Sequence, residues 1–340
     1  MKIRTFIKYL TIIFSFVLSL ILISHFTYNA LFYPNSSNEI KVKTTKDGVK
    51  YSEDGYIIDY VGDSNELVIP TQIKNVKITK ISSQFLYEKS IDRLEMPSTI
   101  EYIAEDTFKF SKIKDFYYNG RIEDWITKIN HGCEGGYYGG YYNPIGHSEN
   151  FYIKNEHGEY YLVKDYIIIP STVKEITPFS LAIRLDLYLD KALEKIDRYA
   201  FGNVWGSQPF KNVYYNGSVE DWCRIEGSRV ISVENFYILN QNKYELLTRV
   251  VIHNTELIDH FEGVQCIKDI IFEFQDGITD ISSPFSSNDN ITEIIIPNSV
   301  THVSDINCSN LKKVYLPSHL EEFEHEFTNN GDFEIEFVYI

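Results

Sequence analysis

The stretch IIIPNSVTHV at residues 294–303 reads apolar-x-apolar-Pro-x-x-apolar-x-x-apolar, and the chain repeats that pattern. LEMPSTIEYI at 94–103, IIIPSTVKEI at 167–176 and VYLPSHLEEF at 314–323 keep it closely. LVIPTQI at 67–73 joins them, LYLDKALEKI at 187–196 places Asp190 in the proline slot, and IFEFQDGITDI at 271–281 is a looser copy. Pro170 to Asp190 spans 20 residues, as does Pro297 to Pro317. Pro70 to Pro97 spans 27, with KNVKITK at 74–80 as the insertion. A Phe follows the last apolar residue by five positions at Phe108 and Phe201.

A unit of this length is too short to bury its own apolar face, so it needs neighbours. The apolar-x-apolar start reads as a short strand with two side chains on one face. Proline ends that strand because it has no N–H to give to a ladder. The later apolar residues then turn back into the interior. Stacked units make ladders of short parallel strands over one continuous core, which is a mainly β repeat solenoid. A longer duplication lies on top of the repeat. FYYNGRIEDW at 116–125 returns as VYYNGSVEDW at 213–222, and Trp125 and Trp222 are 97 residues apart. NFYI at 150–153 returns at 235–238, each time opening an expected hairpin that turns at His157-Gly158 and at 240–242. The EDW segments read as short helices with acids in the first turn and a tryptophan plugging the core.

The IPxxVxxI repeat, NCSNLKKVYLP at 307–317 and the YYNG-x-x-EDW linker resemble the BspA-like leucine-rich-repeat proteins of bacteria. NPI at 143–145 is similar to the same pattern. The likeness covers residues ~50–340, within the usual boundary error. It implies a leucine-rich-repeat solenoid and a surface-protein role, since some members attach to host matrix proteins or to other cells. The chain departs from the family in lacking the usual glycine after the second apolar residue and in its degenerate units near 250–290.

Composition agrees with strands. Of 340 residues 15% are aromatic, with 26 Tyr and 22 Phe, types that suit pleated half-buried surfaces. Net charge is −16, and Lys2, Arg4 and Lys8 supply three of the 32 basic groups within residues 1–33, which hold no Asp or Glu. The remainder is therefore more acidic still, which disfavours nucleic acid as a partner. Cys133, Cys223, Cys266 and Cys308 are widely spaced and read mostly as free, small, buried residues, with room for one or two bridges.

Tyr9–Phe26 is uncharged and mostly apolar behind those three cations. As a helix it reaches about 27 Å, close to the ~30 Å of a bilayer's hydrocarbon core. The cations place its N-terminal side in the cytoplasm and the remainder outside. An uncleaved signal anchor makes a single-pass protein of the cell membrane, held by residues 9–26. A cleaved signal peptide makes a secreted one. The residues around Ala30 are bulky, which favours the anchor. The expected organisation is 1–33 signal anchor and transmembrane segment, 34–66 linker and N-terminal cap, and 67–340 repeat solenoid with two YYNG-EDW/hairpin insertions.

No motif for catalysis stands out. His319 and His325 sit among Glu321, Glu322, Glu324 and Glu326, where a solvated acidic turn is favoured over a metal site. Glu123-Asp124 and Glu220-Asp221 are adjacent pairs that cannot straddle a substrate as glycosidase carboxylates do. Nothing marks Cys266 or Cys308 as a nucleophile, and HGCEGGYYGGYYNP at 131–144 reads as a mobile loop, an ordinary insertion being favoured over a contact site made by its four tyrosines. No cofactor is expected. In each apolar-x-apolar start the middle residue points away from the core. Those positions are Glu95, Ile168, Tyr188, Ile295 and Tyr315, and the EDW units add Tyr117 and Tyr214. Stacked at ~4.8 Å, these seven form an outward stripe suited to binding, although strand propensity alone also places tyrosine there. The expected function is adhesion or protein–protein interaction without catalysis, with a host matrix protein, a cell-surface protein or a glycan as partner. The alternatives are a carbohydrate-binding or carbohydrate-active protein and a structural envelope protein.

Overall fold

The computed structural model describes residues 41–340 apart from 84, 132–142, 179, 182–184, 202–209, 229–230, 232, 254–266, 268, 283–289 and 330–333. The chain divides into two compact units, residues 1–42 and 43–340. The apolar run at 9–26 and the glycine-rich loop lie outside the described residues, as do Cys133 and Cys266. Among the described residues no helix is long and apolar enough to cross a membrane.

The second unit is a solenoid of short strands with a front and a back ladder in each coil. The apolar-x-apolar starts form the front strands, and register fixes which side chains meet. In the first front ladder Glu66–Val68, Ser90–Pro97, Lys112–Asn119 and Ser148–Lys154 run parallel, bringing Leu67, Leu94, Phe116 and Phe151 into one row. All four are buried. The second ladder aligns Ile167, Leu187, Val213 and Phe236 in the same way. The third aligns Val250, Phe272, Ile294, Val314 and Phe337. The looser segments near 250–290 are thus true units.

The last apolar residue of most units makes the back strand, although in VYLPSHLEEF it falls in the 3-10 helix Ser318–Glu326. Tyr56–Tyr60, Lys80–Ile81, Tyr102–Ile103 and Asn130–His131 pair in parallel, and so do Glu175–Ile176 with Lys195–Ile196 and Asp280–Ser282 with His302–Ser304. Ile81, Ile103, Ile176, Ile196, Ile281 and Val303 are buried there, and Phe108 and Phe201 pack into the same core. An antiparallel hairpin, Val49–Ser52 with Tyr56–Tyr60, opens the back ladder ahead of the first repeat. KNVKITK folds into a small hairpin, with Lys74 at φ 56°. Asp190 does by side chain what proline does elsewhere. Its carboxylate accepts the Ala192 N–H at 2.8 Å and the Asn216 amide at 2.8 Å, closing the turn after the strand.

The array expected as one run of coils has three front ladders, because each hairpin interrupts the pairing. Tyr160–Val163 returns antiparallel to Ser148–Lys154, and Lys243–Leu246 returns antiparallel to Val233–Asn240. Each return strand is the last member of its sheet, and the next front strand opens a new one. A reversed strand whose chain resumes after two residues has no length in which to cross over for parallel pairing. The turns are as expected: Gly158 has φ 80°, and Gln241 and Asn242 are both left-handed.

The two EDW segments form helices α1 (Ile122–Lys128) and α2 (Val219–Arg224), with Glu123, Asp124, Glu220 and Asp221 in their first turns. Ser218 and Asp221 complete a capping box on α2. Trp125 and Trp222 are fully buried. Where the first front ladder ends, α1 carries the core onward. The Trp125 indole donates to the Ser180 carbonyl at 2.6 Å, and the Thr177 hydroxyl donates to the Ile126 carbonyl. Glycine is required in both YYNG segments, since a Cβ on Gly120 or Gly217 falls 2.7 or 2.6 Å from the buried ring of Tyr118 or Tyr215.

Candidate functional site

The outward positions fall in rows beside the buried ones. Glu95 and Tyr117 share a row with Val68 and Tyr152 in the first ladder. Ile168, Tyr188 and Tyr214 share one with Tyr237 in the second. Ile295 and Tyr315 share one with Glu273 and Val338 in the third. The seven side chains are therefore brought together in three groups. Ile168 is exposed at 55%, while the other six are half-buried.

For Tyr117, Tyr188 and Tyr214, ring stacking contributes to that partial burial. Tyr117 and Tyr152 stack at 4.3 Å, Tyr188 and Tyr214 at 4.3 Å, and Tyr214 and Tyr237 at 4.7 Å, all with nearly parallel planes. Each hairpin adds a tyrosine at right angles to the stack. Tyr160 meets Tyr117 at 5.1 Å, and Tyr244 meets Tyr214 at 5.2 Å and Tyr188 at 5.8 Å. Such offset and edge-on pairs are favourable beyond the area they bury. The rings stand on edge, so the faces of Tyr188 and Tyr214 that meet are closed to a ligand. Sequence reasoning missed Tyr152, Tyr160, Tyr237 and Tyr244. The FY of NFYI repeats the apolar-outward alternation and was the available signal for Tyr152 and Tyr237.

The two tyrosine clusters differ in charge. In the first, the Arg93 guanidinium lies 3.8 Å from the Tyr117 ring centre, is paired with Glu95 at 3.0 Å, and Lys154 lies 5.2 Å from the Tyr160 ring centre. Burial, with the Glu95 carboxylate, pushes the Tyr160 hydroxyl up to about 12. In the second, Asp186 accepts the Asn212 amide at 2.9 Å, and Asn235 bonds onward to Asn212 at 3.1 Å. Burial raises the hydroxyls of Tyr188, Tyr214 and Tyr244, with added pressure from Asp186 on the first two and Asp190 on the third. A notch sits at each ladder break. One of about 360 Å³ lies among Ile122, Tyr161, Val163 and Ile168, and one of about 570 Å³ among Lys191, Asn216, Glu245 and Arg249.

The other candidate groups have structural roles. Glu123 pairs with Arg121, and Asp124 pairs with Lys128 at 2.5 Å. His319 bonds the Val300 carbonyl at 2.8 Å, and His325 bonds the Glu322 carbonyl at 2.8 Å. Among the described residues no group of His, Cys, Asp and Glu is placed to hold a metal ion. Cys223 is free and buried, Cys308 is buried, and burial pushes the Cys223 thiol up to about 12. That is the opposite of what activates a nucleophile.

The signature of the BspA type leucine rich repeat region matches residues 64–134 and 240–340 in six copies, half of the chain. The intervening coils follow the same front and back plan without matching it. Among solved structures, a leucine rich cell surface protein from Faecalibacterium prausnitzii A2-165 is 13% identical over 82% of this chain and 75% of its own, with a TM-score of 0.30. A leucine-rich repeat protein from Bacteroides ovatus ATCC 8483 is 12% identical over 91% of this chain and 100% of its own, at 0.32. The pneumococcal vaccine antigen PcpA is 9% identical over 88% of this chain and 98% of its own, at 0.28. No curated protein matches.

Proposed function

This chain belongs to the BspA-type leucine-rich-repeat family, and from that premise we propose that it is a surface interaction protein that binds macromolecular partners along its front ladders and catalyses nothing. Residues 9–26 tether it to the membrane, residues 34–66 link and cap, and the coils from 67 to 340 stand outside the cell. The observation that carries the reading is the row of stacked tyrosines in register on the outward side of the second ladder. Rigid aromatic side chains held by their neighbours lose little entropy when a partner covers them, which suits them to interface centres. Affinity then comes from modest contacts spread over three ladders.

The ring geometry favours a protein partner over a glycan. A sugar stacks on an open aromatic face, whereas Tyr188 and Tyr214 close theirs on each other and present edges and hydroxyls. The test is capture of cell-surface and matrix ligands by the full chain, compared with a variant in which Tyr188, Tyr214 and Tyr315 are all replaced by Ser. Loss of capture with an unchanged circular dichroism spectrum supports the reading. Full capture by a folded triple variant overturns it.

A further inference from the structure

The duplicated blocks supply an internal comparison. Aligned on YYNG and on strand register, Tyr117 corresponds to Tyr214, Tyr152 to Tyr237 and Tyr160 to Tyr244. The same register sets Arg93 against Asp186, Glu95 against Tyr188 and Lys154 against Leu239. The aromatic cluster is thus kept while both of its cations are gone, and a carboxylate stands where the guanidinium stood.

Several tyrosines elsewhere are supplied from within. Arg93 serves Tyr117, Lys154 serves Tyr160, Lys80 serves Tyr56, Lys89 serves Tyr60 and Lys313 serves Tyr315, at 3.8 to 6.0 Å from the ring centres. Among the described residues no Lys or Arg lies over Tyr166, Tyr188, Tyr214, Tyr237 or Tyr244. Tyr244 lies across the edges of Tyr188 and Tyr214, so one of its faces is turned from the stack, as the face of Tyr160 that takes Lys154 is. Asp186 and Asp190 flank the cluster, and the chain's net charge is −16.

We infer that the Tyr188–Tyr214–Tyr237–Tyr244 cluster, with Asp186 and Asp190, is a docking site for arginine or lysine side chains of a basic protein segment. The inference rests on the interaction role proposed above and names the chemistry of the partner. A cation over a tyrosine face is attracted by the ring quadrupole, and a nearby carboxylate adds charge attraction. The first block shows the bound arrangement with the cations built in.

Fluorescein-labelled hexa-arginine amide, titrated into the full chain at 0.15 M salt and followed by anisotropy, tests this. Saturable binding is expected, with hexa-citrulline, the uncharged isostere, failing to compete. Tyr244→Leu and Asp186→Asn each weaken binding by about tenfold, the range of one cation–π contact or charge pair. Leu239→Lys restores the side chain found at Lys154 and fills the site from within, again weakening binding about tenfold. That substitution keeps the fold because the first block carries Lys there. No saturable binding overturns the inference, as does equal competition by hexa-citrulline. Unchanged affinity in both Tyr244→Leu and Leu239→Lys overturns it too, by assigning the attraction to the acidic surface as a whole. If surface ligands are still captured while hexa-arginine is not bound, this inference fails and the interaction role stands.

Discussion

Trp125→Phe tests how one coil holds the next where the first front ladder stops. The indole is fully buried, in edge contact with Phe116 at 5.6 Å and Tyr118 at 5.0 Å, and its N–H bonds the Ser180 carbonyl 55 residues on. Phenylalanine keeps an aromatic ring but removes that bond and leaves a void. The Ser180 carbonyl retains the Asn143 amide at 3.2 Å, so the lost bond costs toward the lower end, about 1 kcal/mol. The void adds about 1–2 kcal/mol, for a total near 2–3. Trp125→Ala costs about 3–5 kcal/mol. In a repeat array stability is a sum of units and interfaces, so a weakened interface also separates the blocks. Urea denaturation followed by circular dichroism is expected to show a lower midpoint and a broadened or divided transition. A loss below about 0.5 kcal/mol with one sharp transition, within the range of an ordinary surface substitution, refutes the reasoning.

Gly217→Ala forces a Cβ to within 2.6 Å of the buried Tyr215 ring, and Gly120→Ala does the same to Tyr118 at 2.7 Å. Each is expected to cost about 1–3 kcal/mol by thermal melting, and a neutral result means the ring moves freely. Burial raises Tyr118, Tyr215 and Cys223, which stay neutral in the folded chain where the unfolded one ionises. Stability is therefore level below the ordinary thiol value of 9.0 and falls as pH climbs past it and past the phenol value of 10.0 toward the raised folded values. Urea midpoints at pH 7, 9 and 10.5 check this, and a midpoint that rises with pH contradicts it.

Much of the fold was legible because the repeat is a matter of spacing. A proline or Asp190 marks where six of the front strands stop, twice at a spacing of 20 residues, and the apolar residues that follow turn inward. The EDW segments were legible as helices because acids, tryptophan and turn glycine sit at helix-start positions. The breaks in the front ladder were not. Alternating residues in NFYI predict a strand but carry no mark of whether the next strand pairs with it, and only the two-residue link after Val163 forbids it. Arg93 over Tyr117 was hidden too, since the residues are 24 apart and meet only through register. The stripe expected from the sequence omits members of the clusters, because the hairpin return strands bring Tyr160 and Tyr244 across from outside the repeat.

Each return strand also bears on how a protein of this kind changes in size. A parallel ladder cut at random offers an unpaired edge, and such edges invite other chains. Here the ladder is already broken twice, behind Tyr160–Val163 and behind Lys243–Leu246, where the upstream sheet ends in a reversed strand and Tyr166–Ile169 or Arg249–Ile252 starts the next. The front strands from Tyr166 to Leu246 thus make one complete sheet between the two breaks. A block of this kind added or removed at the breaks leaves every strand within the remaining sheets paired as before.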